Sequence, residues 1–274
     1  MKPFLMRTLL FLVFAGGALL SITSCEKVID LKIANTTSQV VIEGEVTDSL
    51  KPWIVQLSQS MALGNGSQMM PLRSAKVFIA DATAGTTDTL QEAGPGVYFT
   101  SLSAPRVGVP GHRYELTVEL LSGGRYTAVS TMPQKVSFDS LYIEVASFLG
   151  LRGAQIFPVV KDPPSTLNFY QYRALLKGKV VARDARDDRF SDGLVSGQPI
   201  LLPLDDSEKS GDEIVVELQC IDAAVFRYFF LLFQSSGGAG GTAAAPGNPV
   251  NNITGGALGI FSAHTVQQRS VLIP

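Results

Sequence analysis

The chain has 274 residues, of which 46% are hydrophobic and 17% are charged, so it can bury a core and is not a disordered chain. Its 22 basic and 24 acidic residues leave a formal charge of −2, which provides no electrostatic basis for binding nucleic acid. Two cysteines and two histidines are too few for a Cys/His zinc site of the usual spacing.

Residues 1–24 have the layout of a secretory signal peptide. Lys2 and Arg7 form a short positive segment, residues 9–20 form an apolar run, and small or polar residues follow. An apolar run of about 12 residues is shorter than the roughly 20 that a transmembrane helix needs. We therefore predict a cleaved signal peptide, with a short membrane anchor helix as the alternative.

Cys25 follows the signal segment directly. Residues 22–25, Ile-Thr-Ser-Cys, resemble the lipobox of bacterial lipoproteins in the looser form that is usual in the Bacteroidota. The resemblance implies cleavage before Cys25, a diacylglycerol on its thiol and acylation of its amine. Two or more acyl chains are enough for stable anchoring. The predicted mature chain has 20 basic and 24 acidic residues, so lipid rather than electrostatic attraction would hold it at the membrane.

Lipidation of Cys25 would leave Cys220 without a disulfide partner. Cys220 continues an alternation with Ile214, Val216 and Leu218, so we expect its side chain to point into a core. An apolar environment raises the pKa of a thiol and makes it inert. A catalytic cysteine is the alternative.

The first half of the mature chain, residues 25–134, is predicted to be an Ig-like or transthyretin-like β-sandwich. Alternating apolar and polar residues predict short strands, separated by glycine- and proline-containing turns. This alternation is typical of antiparallel sheets with one face packed on a core. The predicted strands lie near residues 40–47, 53–58, 75–80 and 114–120, with turns near 64–66, 94–96, 110–111 and 123–124.

The second half, residues 135–274, is predicted to be a further antiparallel β unit with one short buried helix. The predicted strands are 156–160, 169–176, 178–182, 213–220 and 270–273. Residues 222–234 predict the helix, with Asp222 as its N-cap; because it is apolar almost all round, we expect it to be buried. Docking against a membrane partner is the alternative. We expect a mobile loop at 237–247, and a close backbone approach or a bulge among the glycines of 255–259.

The sequence contains no recognisable catalytic motif. Nucleophile-elbow, phosphate-loop, dinucleotide-binding and His-Glu-x-x-His patterns are all absent. His112 follows a turn and His264 lies near the C-terminus, and neither has a nucleophile or carboxylate at a useful spacing. We therefore predict no catalytic residue and no cofactor, although a triad assembled across the fold is an alternative.

Residues 183–193 form the most polar stretch, with four aspartates and three arginines. Carboxylates are suitable Ca²⁺ ligands, but the spacing is not that of an Asp-x-Asp-x-Asp-Gly loop and the arginines would compete with a cation. The pattern favours a charge-paired surface loop, and we predict no metal site. Calcium binding and a polar contact surface for a partner are the alternatives.

The order of several short motifs resembles a Bacteroidota outer-membrane lipoprotein family, domain of unknown function four-two-four-nine. Among them are Asp-Arg-Phe-Ser-Asp-Gly at 188–193 and Gly-Gly-Ala-Leu-Gly-Ile-Phe at 255–261. The other matching segments are 25–31, 40–48, 96–98, 110–118, 126–128, 131–133, 139–141, 162–164 and 211–218. Together they extend over nearly the whole mature chain.

The resemblance implies no known activity. Members of this family are often encoded beside TonB-dependent receptors, which implies a non-catalytic accessory role at the outer membrane. Glu26 and Asp30 partly fit the acidic signal for cell-surface export in such bacteria, with the periplasmic face as the alternative. Two other functions stay open: a structural or adhesion module, and an envelope hydrolase that gathers His112 or His264 with carboxylates. The sequence does not name a ligand.

Overall fold

The computed structural model describes residues 38–60, 69–101, 103, 105–148, 151–205, 207–235 and 249–274. The predicted signal peptide, Cys25, the turn at 64–66 and the glycine-rich loop at 237–247 lie outside these residues. Within the described part, the chain is mainly β, as the sequence predicts. No helix in that part is long and apolar enough to cross a membrane.

The described residues form seventeen strands and one helix. The strands of the first half are β1 (Val40–Thr47), β2 (Ile54–Gln59), β3 (Met70–Pro71), β4 (Lys76–Asp81), β5 (Thr86–Gly94), β6 (Val97–Phe99), β7 (Arg113–Glu119) and β8 (Arg125–Thr131). The second half contains β9 (Ser137–Phe148), β10 (Leu151–Lys161), β11 (Phe169–Leu176), β12 (Lys179–Asp187), β13 (Val195–Ser196), β14 (Ile200–Leu204), β15 (Glu213–Ile221), α1 (Ala223–Ser235), β16 (Ile253–Thr254) and β17 (Leu258–Leu272).

Two sheets organise these strands. In the described part of the chain, thirteen strands form one large sheet in the order β12-β11-β15-β17-β1-β2-β6-β5-β4-β7-β8-β16, with β3 beside β2. β1 and β17 are parallel, and the other pairings in this sheet are antiparallel. The smaller sheet has the order β13-β10-β14, with β9 beside β10.

The large sheet turns back on itself through β5. Residues 86–90 of that strand pair with β4, whereas residues 91–94 pair with β6. Alternate side chains of the two resulting layers then meet in one apolar core. Its most deeply buried members include Ile42, Leu57, Ile79, Leu116 and Phe261. This arrangement confirms the prediction of a β-sandwich.

A second core lies between the large sheet and the smaller one. Phe138, Ile156 and Ile200 of the smaller sheet are buried with Tyr172 and Leu218 of the large sheet. Cys220 belongs to this core, and burial raises the pKa of its thiol. The expectation that Cys220 fills a core is therefore confirmed.

Strand β17 connects the two halves of the protein. Its residues 258–264 pair with β1, and its residues 265–272 pair with β15. The predicted last strand, 270–273, was too short, because glycines and the polar side chains of Ser262 and His264 obscure the apolar pattern before it. The predicted boundary near 134 falls between β8 and β9, and the division into two domains stays a prediction.

Helix α1 begins where the sequence predicts. The Asp222 carboxylate accepts hydrogen bonds from the backbone N–H groups of Ala224 and Val225, both at 2.9 Å, so it is an N-cap. It also accepts one from the Ser130 hydroxyl at 2.5 Å, which ties the start of the helix to β8. The helix is less buried than expected: Val225 is fully buried, whereas Phe230 is 39% exposed.

Gly259 provides a test of the parallel pairing. Its φ is +100°, and a Cβ at this position would lie 2.0 Å from the carbonyl oxygen of Ile42 on β1. This contact confirms the close backbone approach predicted among these glycines. Gly259→Ala should lower the free energy of unfolding by roughly 3 kcal/mol or more, because the backbones must separate.

Gly85→Ala is the matched control, because Gly85 also has a positive φ, +70°, but open space around it. We expect it to cost only about 1 kcal/mol, the conformational penalty. Urea denaturation followed by circular dichroism measures both variants. Equal losses in the two variants would show that the contact with Ile42 does not constrain the fold.

Candidate functional site

A cavity of about 300 Å³ lies between α1 and the outer face of the large sheet, the face opposite the two cores. Side chains alternate along β1, so Ile42 and Val46 enter the core while Glu43 and Glu45 face the cavity. The cavity is lined by Glu43, Gly44, Glu45, Ile54, Gln56, Gln171, Arg173, Arg183, Gln219, Tyr228, Phe229, Leu232, Ile260, Ser262 and His264.

The floor of the cavity is polar and buried. It consists of Gln171 on β11, Gln219 on β15, and Ser262 and His264 on β17. The Ser262 hydroxyl lies 3.0 Å from Nδ1 of His264. Because buried polar groups need partners, such a floor costs stability unless hydrogen bonds satisfy it.

Two nitrogens of the cavity lining lack such partners. Nε2 of His264 and Nε of Arg173 are buried, and neither has a hydrogen-bond partner among the described residues. Burial lowers the pKa of His264, although the nearby Glu45 and Glu217 carboxylates act in the opposite direction. The imidazole is therefore neutral near pH 7, with Nδ1 at Ser262 and Nε2 left for another partner.

The cavity has basic groups on one side and acidic groups on the other. Arg173 and Arg183 lie opposite each other on β11 and β12. Arg173 pairs with Glu217 at 3.3 Å, whereas no carboxylate among the described residues lies within ion-pair distance of Arg183. Glu43 and Glu45 are on β1, beyond the intervening β15 and β17.

Helix α1 covers the cavity with aromatic side chains. Tyr228 packs edge-on against Phe229, with ring centroids 5.3 Å apart, and Phe229 stacks on Phe233. Burial raises the pKa of Tyr228, and the nearby Glu43 carboxylate adds to this effect. The cavity therefore combines an apolar cover with a polar floor, and its lining is more polar than that of most small-molecule sites.

His112 is outside this cavity. It directly precedes β7, as expected of a residue after a turn, and its Nδ1 lies 2.8 Å from the Asp81 carboxylate. Asp81 also accepts hydrogen bonds from the backbone N–H groups of Thr83 and Ala84. Burial tends to raise the pKa of Asp81, but the bonds from His112 and the backbone hold it below its usual range. The structure thus brings one histidine, His264, to the cavity and places the other in a turn.

The sequence did not reveal the cavity residues other than His264. Gln171, Arg173 and Gln219 alternate with buried apolar residues, so they are indistinguishable from a solvent-exposed strand face until α1 covers them. The one available signal is the number of long polar side chains at alternate positions on neighbouring strands.

The polar stretch 183–193 differs from its prediction. Residues up to Asp187 belong to β12 and not to a loop. Arg186 pairs with Asp184 and Arg189 pairs with Asp187, so charge pairing is confirmed for these residues. Asp188 is buried, which is not what the prediction of a paired surface loop implies.

A protein-family model matches residues 26–270, which is most of the chain. The family is described as Domain of unknown function (DUF4249), so the resemblance in the ordered motifs is confirmed at the level of the family. No curated protein matches the chain.

The buried state of His264 predicts a pH dependence of stability. Folding lowers its pKa below the value of about 6.5 for an exposed histidine, so the unfolded chain binds the proton more readily. The neutral His264 therefore places no pH-dependent penalty on the folded state above about pH 6.5. Below that pH, the free energy of unfolding decreases by at most about 1.4 kcal/mol for each pH unit. His264→Gln should remove this pH dependence in urea denaturation.

The ring-proton signals of the two histidines in NMR spectra allow a direct check. The signal that disappears in His264→Gln should titrate below about pH 6.5 in the wild-type protein. A titration at or above that pH would contradict the buried, neutral imidazole.

Proposed function

The chain belongs to the DUF4249 family, and we propose that it is a non-catalytic, lipid-anchored binding protein that assists a TonB-dependent receptor at the outer membrane. The lipid anchor and the receptor are supported by the lipobox-like residues before Cys25 and by the family resemblance in the sequence. The binding role is supported by the cavity, and above all by the buried Nε2 of His264, which has no hydrogen-bond partner among the described residues.

The cavity lining indicates the chemical class of ligand. Arg173 and Arg183 suit an anionic group, whereas Glu43 and Glu45 suit an ammonium or another donor. A volume of about 300 Å³ is at the lower end of the range for small-molecule sites. We therefore propose a small zwitterionic ligand, the size of a dipeptide, bound across the sheet between the two charged sides.

The hydrogen bonding of His264 favours binding over catalysis. A Ser–His pair that activates its serine needs a third group, commonly a carboxylate, to orient the far nitrogen of the imidazole. Ser262 contacts Nδ1, but no carboxylate among the described residues is hydrogen-bonded to Nε2. The contact between Ser262 and His264 nevertheless makes an envelope hydrolase the second candidate. Hydrolysis of p-nitrophenyl acetate that Ser262→Ala abolishes would establish it.

The membrane part of the proposal predicts that Cys25 is lipidated and that the protein is bound to a receptor. The wild-type protein, solubilised from outer membrane in mild detergent, should carry the mass of a diacylglyceryl group and an N-acyl chain and should co-purify with a TonB-dependent receptor. Cys25→Ala should carry neither acyl group and leave the outer-membrane fraction, because it loses every acyl chain of the anchor.

Cys220→Ala is the matched control, because it removes the buried thiol and leaves the anchor intact. Mass spectrometry and fractionation measure both variants. An unmodified Cys25 in the wild-type protein would refute the lipid anchor. A lipidated protein that purifies alone at native abundance would refute the receptor partnership.

The cavity part of the proposal predicts a selective ligand response. Dipeptides should raise the melting temperature of the protein in a thermal-shift assay, whereas neutral monosaccharides should not, because only a ligand with both charges satisfies both sides. Arg183→Gln should abolish the shift. Arg125→Gln, which changes an exposed arginine outside the cavity, should retain it. A shift that survives Arg183→Gln would place the ligand elsewhere.

A further inference from the structure

Three aspartates from two segments of the second half of the chain meet at one end of the small and large sheets. Asp162 directly follows β10, Asp188 directly follows β12, and Asp192 lies in the turn after Asp188. One carboxylate oxygen from each lies within 4.8 Å of the other two. Asp162 and Asp188 are only 2% and 1% exposed, and Asp192 is exposed.

Hydrogen bonds hold the three carboxylates in place. Asp162 accepts one from the Tyr170 hydroxyl and one, at 3.0 Å, from the backbone N–H of Gly193. Oδ2 of Asp188 accepts one from the backbone N–H of Asn168 at 2.8 Å. Asp192 is held similarly by a backbone N–H, that of Ser165, at 2.8 Å.

One buried oxygen of this cluster lacks a partner. Oδ1 of Asp188 is inaccessible to solvent and has no hydrogen-bond partner among the described residues. A buried carboxylate oxygen without a donor is costly, and native structures rarely contain one unless an ion, a proton or a bound water satisfies it.

The arginines of the same stretch do not neutralise the cluster. Arg186 and Arg189 are engaged by Asp184 and Asp187. Within the described part of the chain, no lysine or arginine lies within ion-pair distance of Asp162, Asp188 or Asp192. The cluster thus requires a positive charge that the surrounding side chains do not supply.

We propose that Asp162, Asp188 and Asp192 bind one Ca²⁺ ion. Calcium takes six to eight oxygen ligands at about 2.4 Å, so two of its ligands are at most about 4.8 Å apart, and the three aspartate oxygens lie within that limit of one another. Magnesium would require shorter distances and near-ideal octahedral geometry. Waters complete the coordination on the side of Asp192, which is open to solvent.

The ion would join the two sheets. Asp162 directly follows a strand of the smaller sheet, and Asp188 directly follows a strand of the large one. Calcium at this position therefore links β10 to β12 and replaces the repulsion between their carboxylates by attraction to a shared cation. It should stabilise the folded chain, and its three aspartates are not part of the cavity lining.

Terbium luminescence and calorimetry test the site on the full mature chain. Tb³⁺ replaces Ca²⁺ in oxygen sites and is sensitised by a nearby tyrosine, and the Tyr170 hydroxyl is hydrogen-bonded to Asp162. We expect tyrosine-sensitised Tb³⁺ emission that decreases when Ca²⁺ displaces the bound Tb³⁺. Calorimetry should show one Ca²⁺ bound per chain, and the melting temperature should be higher with Ca²⁺. Asp192→Asn, a change in an exposed turn, should weaken Ca²⁺ binding by about tenfold or more.

The controls separate loss of the site from loss of the fold. Asp184→Asn removes an aspartate of the same stretch that lies outside the cluster, and it should bind Ca²⁺ as the wild-type protein does. Asp188→Asn should bind no Ca²⁺, and its circular dichroism spectrum reports whether it folds. No Ca²⁺ binding by the wild-type chain up to about 10 mM, beyond the weakest protein calcium sites, would overturn the proposal. Equal affinity in Asp192→Asn and the wild-type chain would also overturn it, and equal affinity for Mg²⁺ would overturn the assignment to calcium.

Discussion

The parallel pairing of β1 with β17 is the constraint on which the rest of the structure depends. It joins residues 41–47 to residues 258–264, from opposite ends of the described chain. Such a contact is entropically costly to close and is not rewarded by local interactions, so tertiary packing must stabilise it. Once formed, it places Phe261 and Ala263 in the first core and Ser262 and His264 on the opposite face, in the floor of the cavity. The same strand then pairs with β15, whose apolar side chains bury in the second core. One strand therefore positions both cores and the candidate site.

A strand of this fold can be predicted from the sequence when one of its faces is apolar and the other is polar. A strand whose polar side chains bind distant parts of the chain is harder to predict. Strands β7 and β11 have one apolar face, and their alternation predicts them well. Helix α1 is predictable because its Asp222 cap and its apolar content are both local signals. Strand β17 is obscured because its polar side chains have partners far away in sequence: the Gln267 amide donates to the Val136 carbonyl, and Gln268 donates to Glu217. A period-two pattern cannot show where such side chains find their partners, since tertiary structure sets those partners.

The aspartates show the same limit at a finer scale. Local pairing follows from short spacing in the sequence. Residues two apart on a strand lie on the same face, so Arg186 meets Asp184 within β12, and Arg189 in the turn after the strand reaches back to Asp187. Asp188 alternates with these residues and turns to the other side, where it meets Asp162. The local Arg–Asp pairs can be predicted from the sequence. The contact of Asp188 with Asp162 cannot, since it depends on how the two sheets pack. A composition of four aspartates and three arginines therefore predicts neutral pairing and conceals a cluster of negative charge.

Strand β11 connects the cavity to the aspartate cluster, because its residues contact both. Tyr170 points to one face and is hydrogen-bonded to Asp162, while the next residue, Gln171, points to the other face and forms part of the cavity floor. A cation that fixes Asp162 would also fix Tyr170, and with it the backbone that positions Gln171 and Arg173 beside the cavity. If the bound cation raises the affinity of the cavity for its ligand by some factor, linkage requires that the ligand raise the affinity for the cation by the same factor. Such a coupling would need no change of fold, since the two faces of this single strand would serve the two sites.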